Sequence, residues 1–221
     1  MAKDFIRARS EEQKEKRLNE IKAVTATLFE NGPYHEITLT SIAEKLGWSR
    51  ANLYKYATTK EEIFLEIACD KMNAYFDSLL AAFPKGNHFS PEVIAEIWAG
   101  ILNAHKDYLR YVAYLNPVIE TNVTVERLAN FKSKYYERAN AFRDRLSEML
   151  QIDEESAYKL LLDILLYASS IACCCYSNPL IQQALKKIGV KPPQTDFNAD
   201  MKELVRMKVE WMKGKEKPLT E

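Results

Sequence analysis

Glycine and proline are scarce here, at 6 and 8 of 221 residues. Strand-and-turn architectures spend both at their corners, so the scarcity argues for helices. Histidine is rarer still. His35, His88 and His105 form no H-x-x-x-H or related ligand spacing, which argues against a histidine-built metal site. The glycines build no phosphate-binding loop, and no nucleophile elbow is present. No catalytic residue, cofactor or metal is therefore expected. Net charge is also lacking, because Lys plus Arg and Asp plus Glu both number 31. Only a local basic cluster can then serve a polyanionic partner.

Long apolar runs are missing too. The first twenty residues alternate charges, so no secretory signal peptide is expected. The most apolar stretch, Leu160 to Tyr176, is interrupted by Asp163, Ser169 and Ser170. It falls short of a bilayer span and reads as a buried helix, with no membrane partner. Four cysteines, three of them adjacent, make no secreted disulfide framework. The expected compartment is the reducing cytoplasm. What remains is ordinary globular composition, 47% apolar and 28% charged. The length allows one large domain, or a small module attached to a larger one.

The apolar periodicity is helical almost throughout. Ser10 and Gln13 have capping-box spacing, and a basic arm precedes them. Leu18, Ile21, Val24, Leu28 and Phe29 then form one apolar face, ended by Asn31-Gly32-Pro33. Between Thr38 and Lys60 the elements shorten. Thr38 caps a helix with Ile42, Ala43 and Leu46 inward, Gly47 suits a left-handed turn, and Ser49 caps a second helix carrying Leu53. Two helices of about two turns joined at a glycine bury little alone and must pack on the first. This is the helix-turn-helix pattern.

Longer helices follow. One runs from Lys60 towards Phe83, and one starts at Ser90-Pro91. A piece around Tyr108 to Leu115 stops near Asn116-Pro117. A long helix spans Val125 to Leu150, Asp153 caps another to about Asn178, and the last lies near Asp200 to Met212. Pro179, Pro192 and Pro193 bound irregular stretches.

The segment TLTSIAEKLGWSRANLYKYATTK, Thr38 to Lys60, resembles the DNA-binding head of the TetR family of bacterial transcriptional regulators. The matched frame is Thr38, Ile42-Ala43, Gly47, Ser49, Leu53-Tyr54 and Lys60, followed by Glu61-Glu62-Ile63. Trp48 stands where the family usually has a small aliphatic residue, and Ala57 where phenylalanine is common. One change is large for small and the other small for large, which suggests compensation in volume. The resemblance implies an all-α fold with a three-helix head over residues 1–60. A larger helical-bundle domain for ligand binding and dimerisation then covers 61–221.

Charge supports the head independently. Lys45, Arg50, Lys55 and Lys60 fall in one window without an acidic residue, the local excess that phosphate binding requires. Arg50, Ala51, Asn52 and Lys55 lie at the start of the second short helix, the part that enters a major groove. Arg50 suits guanine and Asn52 suits adenine. By resemblance Tyr54, Tyr56 and Lys60 clamp phosphates, with Thr40 at the groove edge. Ser49 and the residues after it complete the contact set.

In the body, the family implies an effector pocket. Its candidates are Trp98, Tyr108, Tyr111, Tyr114, Phe131 and Tyr135, and each is also an ordinary core residue. Phe142 adds to the aromatic surface, while His105 and Asn116 read as caps or core polar groups. Asp163 lies among aliphatics in LLLDILL and requires a partner, Arg138 or Arg143, or else a cationic ligand. Successive residues of a helix point about 100° apart, so Cys173, Cys174 and Cys175 cannot converge on one metal. Ala168, Ser169, Ala172 and Cys173 read instead as small groups for close helix contact, with an intersubunit redox switch through Cys173 to Cys175 as the alternative. The expectation is a homodimeric repressor that leaves a palindromic operator when a small apolar or amphipathic effector binds. A helical enzyme or scaffold with an incidental head is the other alternative.

Overall fold

The computed structural model describes residues 11–173, 179–191 and 196–215. The basic arm, the Ser10 cap, Cys174, Cys175, Pro192 and Pro193 lie outside them. Every regular element among the described residues is helical. No described helix is long and apolar enough to cross a membrane.

The chain forms two compact units, one reaching Ile67 and including Val118–Phe131, the other Ala68–Pro117 with the chain from Lys132. In the first, α1 (Glu11–Asn31), α2 (Leu39–Leu46) and α3 (Arg50–Leu53) join the opening turns of α4 (Lys60–Ala82). Ile21, Phe29, Ile42, Ala43, Leu53, Ile63 and Phe64 are buried. Phe29 and Tyr34 meet Phe64 edge-on, at centroid distances of 5.2 and 4.9 Å. Each fully buried aliphatic or aromatic side chain contributes about 1.5–3 kcal/mol. The short α2 and α3 are therefore held by packing and not by propensity.

The caps fall where the residue types require. Thr38 and Ser41 form a reciprocal capping box on α2. Gly47 takes φ 68° and ψ 31°, the left-handed conformation in which a side chain is strained. Its turn lets the Trp48 amide donate to Ala43 O at 2.9 Å. Ser49 caps α3 through the Asn52 amide.

The second unit holds the rest of α4, α5 (Pro91–Ala104), α6 (Lys106–Tyr114), most of α7 (Val125–Leu150), α8 (Glu154–Ala172), α9 (Pro179–Lys187) and α10 (Phe197–Lys215). Ser90 and Asp153 cap α5 and α8 through their side chains. α10 packs on α5 and α8, and α6 packs on α8. The core is strongly aromatic. Tyr75, Phe76, Phe83, Trp98, Tyr108 and Phe142 are all within 1% of full burial.

Several boundaries correct the sequence reading. The helix before Pro117 does not stop there; it widens into a π-turn over Leu115–Ile119, then a 3-10 turn over Glu120–Asn122. A π-turn bypasses the amide that proline lacks. α8 ends at Ala172 with Cys173 as its C-cap, short of Asn178. Pro179 opens α9 where an irregular stretch was expected, because proline suits the first helical position. Trp48 is only half-buried. It lies 5.9 Å from the Tyr56 ring, with the Arg17 guanidinium 5.3 Å above it. Ala57, in contrast, is buried. Trp48 therefore sits at the surface between α1 and the chain after α3.

Candidate nucleic-acid interface

Residues 45–60 present their cations outward, except one. Lys45, Arg50, Ala51, Tyr54 and Lys55 are exposed. Arg50 Nη2 donates to Tyr54 Oη at 3.2 Å, and its guanidinium lies 5.8 Å from the Tyr54 ring. This lays Arg50 along the outer face of α3, with donors of its planar fork left for a base edge. Thr40 and Tyr56 are half-buried, and Ser49 is exposed while capping α3.

Two residues are turned inward. Asn52 is only 7% exposed, and its Oδ1 accepts from Lys55 Nζ at 3.4 Å. Its amide is thus withdrawn from the face on which Arg50 lies. Lys60 Nζ donates to Tyr34 O and to Ile37 O, both at 2.8 Å, and sits 4.0 Å over the Tyr34 ring. Burial lowers the Lys60 pKa from its ordinary 10.5, while Glu61 raises it. Tyr34 Oη donates to Glu61 Oε1 at 2.7 Å, so Lys60 and Glu61 together staple the α1–α2 connection to the start of α4.

Sequence reasoning overlooked Arg127. Its Nη2 donates to Tyr56 O at 2.8 Å, and its Nε and Nη1 lie 3.4 Å from Glu62 and Glu66 respectively. Glu62 is 2% exposed and accepts a second bond from the Thr58 amide at 2.8 Å. A carboxylate so buried requires a cation or donors. The only trace in the sequence is the pair Glu62 and Glu66, one turn apart, and it does not say which cation answers.

The aromatic residues of the second unit form a polar-edged cluster. Trp98 Nε1 donates to Tyr75 Oη at 3.0 Å, and the Tyr75 and Tyr108 rings lie 5.5 Å apart. His105 packs 5.8 Å from Tyr75, and its Nε2 pairs with Ser78 Oγ at 2.9 Å. Burial pushes the Tyr75, Tyr108 and Tyr135 phenols up, so all three remain neutral donors. Tyr135 lies 6.1 Å from Phe76 and is hydrogen-bonded to Tyr158. Tyr111 is buried, with Lys71 5.8 Å from its ring, and Tyr114 is half-buried.

Two comparisons bear on this architecture. A family model described as bacterial regulatory proteins, tetR family, matches residues 21–67. Another, the tetracyclin repressor-like C-terminal domain, matches residues 70–210. The chain belongs to the TetR family. It is thus a DNA-binding transcriptional regulator with a C-terminal ligand-binding domain, in a family of regulators and not of enzymes. Among curated proteins none matches the chain. Solved TetR-family structures share its fold at low identity. A regulator of the TetR/AcrR family from Thermobifida fusca YX-ER1 is 17% identical, with TM-score 0.56, over 88% of this chain and 97% of the other. One from Rhodococcus RHA1 is 13% identical, with TM-score 0.58, over 89% and 97%. The fatty acid degradation regulator FadR from Bacillus halodurans is 15% identical, with TM-score 0.51, over 87% and 94%.

Within this TetR-family chain the expected effector residues are only partly brought together. Trp98, Tyr108, Tyr111 and Tyr135 belong to the second unit, while Phe131 packs in the first. Asp163 bonds Lys208 at 2.8 Å and Lys159 at 3.1 Å, not Arg138 or Arg143. Those arginines are engaged with Asp77, and with Asp144 and Glu154. Burial alone raises the Asp163 carboxyl, but the two lysines outweigh it and hold the pKa below the usual range. Lys159 is one turn from Asp163 and so readable in the sequence, whereas α10 brings Lys208 from 45 residues away. Among the described residues, an open depression of about 300 Å³ on α9, lined by Gln182, Leu185 and Val190, contains none of these aromatics.

Proposed function

We propose that this TetR-family chain is a repressor that holds a palindromic operator as a homodimer and releases it when an apolar or amphipathic effector binds. One observation carries the reading. The capped, glycine-turned helix pair leaves Lys45, Arg50, Tyr54 and Lys55 exposed, with no acidic residue from Lys45 to Lys60. Phosphate attraction requires that excess, and the exposed guanidinium of Arg50 suits a guanine edge. Asn52 instead braces Lys55 from below. Lys45 and Lys55 take phosphates, joined by Tyr54 and Tyr56.

Dimerisation through α8 and α10 is supported by what those helices leave uncovered. Leu166 and Tyr167 on α8, and Met207 and Trp211 on α10, are 42–53% exposed. A second copy applied there would bury them in a two-fold interface, and a palindromic operator requires two recognition helices about one DNA turn apart. The effector is read as apolar or amphipathic because the core offers ring faces with few polar atoms, at Tyr75, Trp98, Tyr108 and Tyr135. That cluster is closely packed, so the effector enters by displacing side chains. Binding a conformation in which the heads are misplaced shifts the population away from DNA.

Sedimentation of the protein with a palindromic duplex tests this. Two chains per duplex are expected, with affinity falling steeply as salt rises. A single bound chain, or binding indifferent to salt, would remove the reading.

A further inference from the structure

Residues 118–131 lie inside the sequence matched by the C-terminal domain model, yet they pack in the same compact unit as the helix-turn-helix. Ile119 and Phe131 are buried there, and Asn122 O accepts from Thr59 Oγ1 at 3.0 Å. Arg127, in the first turn of α7, is the polar centre of the contact. Its planar fork meets three acceptors at once: Tyr56 O, just past the end of α3, and the Glu62 and Glu66 carboxylates on α4. Carbonyls just past a helix have no intrahelical donor, so an outside group that takes one fixes where the helix ends. Here the outside group is a rigid guanidinium, itself fixed by one buried and one half-buried carboxylate.

We propose that Arg127 is a positioning residue for the recognition helix: it sets the orientation of α3 for the major groove without touching DNA. The inference rests on the DNA-binding reading above. Lysine cannot replace it fully, since a single ammonium does not reproduce a fork that spans a carbonyl and two carboxylates. Anything that shifts the first turn of α7 then acts on the pose of α3. The Tyr56 carbonyl, the buried Glu62 and the Thr58 amide form one connected chain of bonds, so loss of Arg127 loosens the segment from Tyr54 to Thr58.

The test compares the full-length wild type with Arg127→Ala, Arg127→Lys and the pair Arg127→Met with Glu62→Gln. The pair removes the clamp without stranding a buried charge, and so keeps the question open should Arg127→Ala fail to fold. Amide exchange is measured on free protein, and binding on the best duplex selected from random sequence. In Arg127→Ala, exchange at Tyr56 to Thr58 should rise about tenfold, as local opening becomes easier. Duplex affinity should fall about tenfold, the loss of one charge-assisted bond at α3. The slope of log affinity on log salt should stay unchanged, and Arg127→Lys should fall between the two. Folded variants with wild-type exchange and affinity would overturn the proposal. So would a slope lower by about one, because Arg127 would then be a phosphate ligand. If the wild type binds no duplex while exchange still responds, the clamp stands and the DNA-binding reading fails.

Discussion

Replacing Lys60 by methionine isolates the staple between the α1–α2 connection and α4. Methionine keeps much of the apolar stem and removes only the ammonium. Two charge-assisted bonds vanish, to Tyr34 O and Ile37 O at 2.8 Å each, with the contact 4.0 Å over the Tyr34 ring. A hydrogen bond to a charged group contributes about 1.5–3 kcal/mol. The half-buried site lets water replace part of each bond, and Tyr34 O keeps the Ile37 amide at 3.2 Å. A net loss of about 2–4 kcal/mol follows. For a chain of this size that lowers Tm by roughly 5–15 °C. Circular dichroism melts of the wild type and Lys60→Met give the answer. A variant that melts with the wild type refutes the staple. A salt titration on duplex DNA adds a second reading, since a slope lower by about one would show the ammonium also reaching a phosphate, as the family resemblance implies.

Arg50→Ala should lose discrimination at particular base pairs, by about 1–3 kcal/mol for a bidentate contact, while Lys55→Ala weakens all duplexes and lowers the salt slope by about one. Competition titrations with point-substituted duplexes separate the two, and an Arg50→Ala that weakens every sequence equally would undo the assignment. Trp211→Glu, or a charged residue at Ala172, should yield monomers by sedimentation, and a mutant that remains a tight dimer moves the interface away from α8 and α10. His105 has its pKa lowered from 6.5 by burial, with Lys71 adding to the effect and Asp107 opposing it. The unfolded chain then binds the proton more readily than the folded one, so the His105 contribution is intact above pH 6.5 and lost as pH falls through the folded pKa. Stability measured against pH should slope less steeply below 6.5 in His105→Gln than in the wild type.

Local chemistry was legible in the sequence, and long-range chemistry was not. Thr38, Ser49, Ser90 and Asp153 cap their helices because each cap is settled within three residues. Gly47 turns where only glycine is unstrained. The limits of α7, Val125 to Leu150, match the periodicity because nothing distant competes with it. Lys60 was different: its partners are 23 and 26 residues away, and composition could not show that its charge points inward. Asn52 follows the same rule, since burial of one face of α3 depends on the helix packed against it, α2. Lys208 pairs with Asp163 across 45 residues, and Arg127 meets Tyr56 across 71. Pairs like these are decided by how helices pack, which periodicity constrains only as faces and not as partners.

Selection of bound sequences from random duplex DNA tests the central claim most directly. A two-fold-symmetric site is expected, with half-sites about one helical turn apart, each read by one α3 helix. Its most discriminating guanine should disappear when the selection is repeated with Arg50→Ala. Enrichment of no sequence, or of an asymmetric site unchanged by Arg50→Ala, would contradict it.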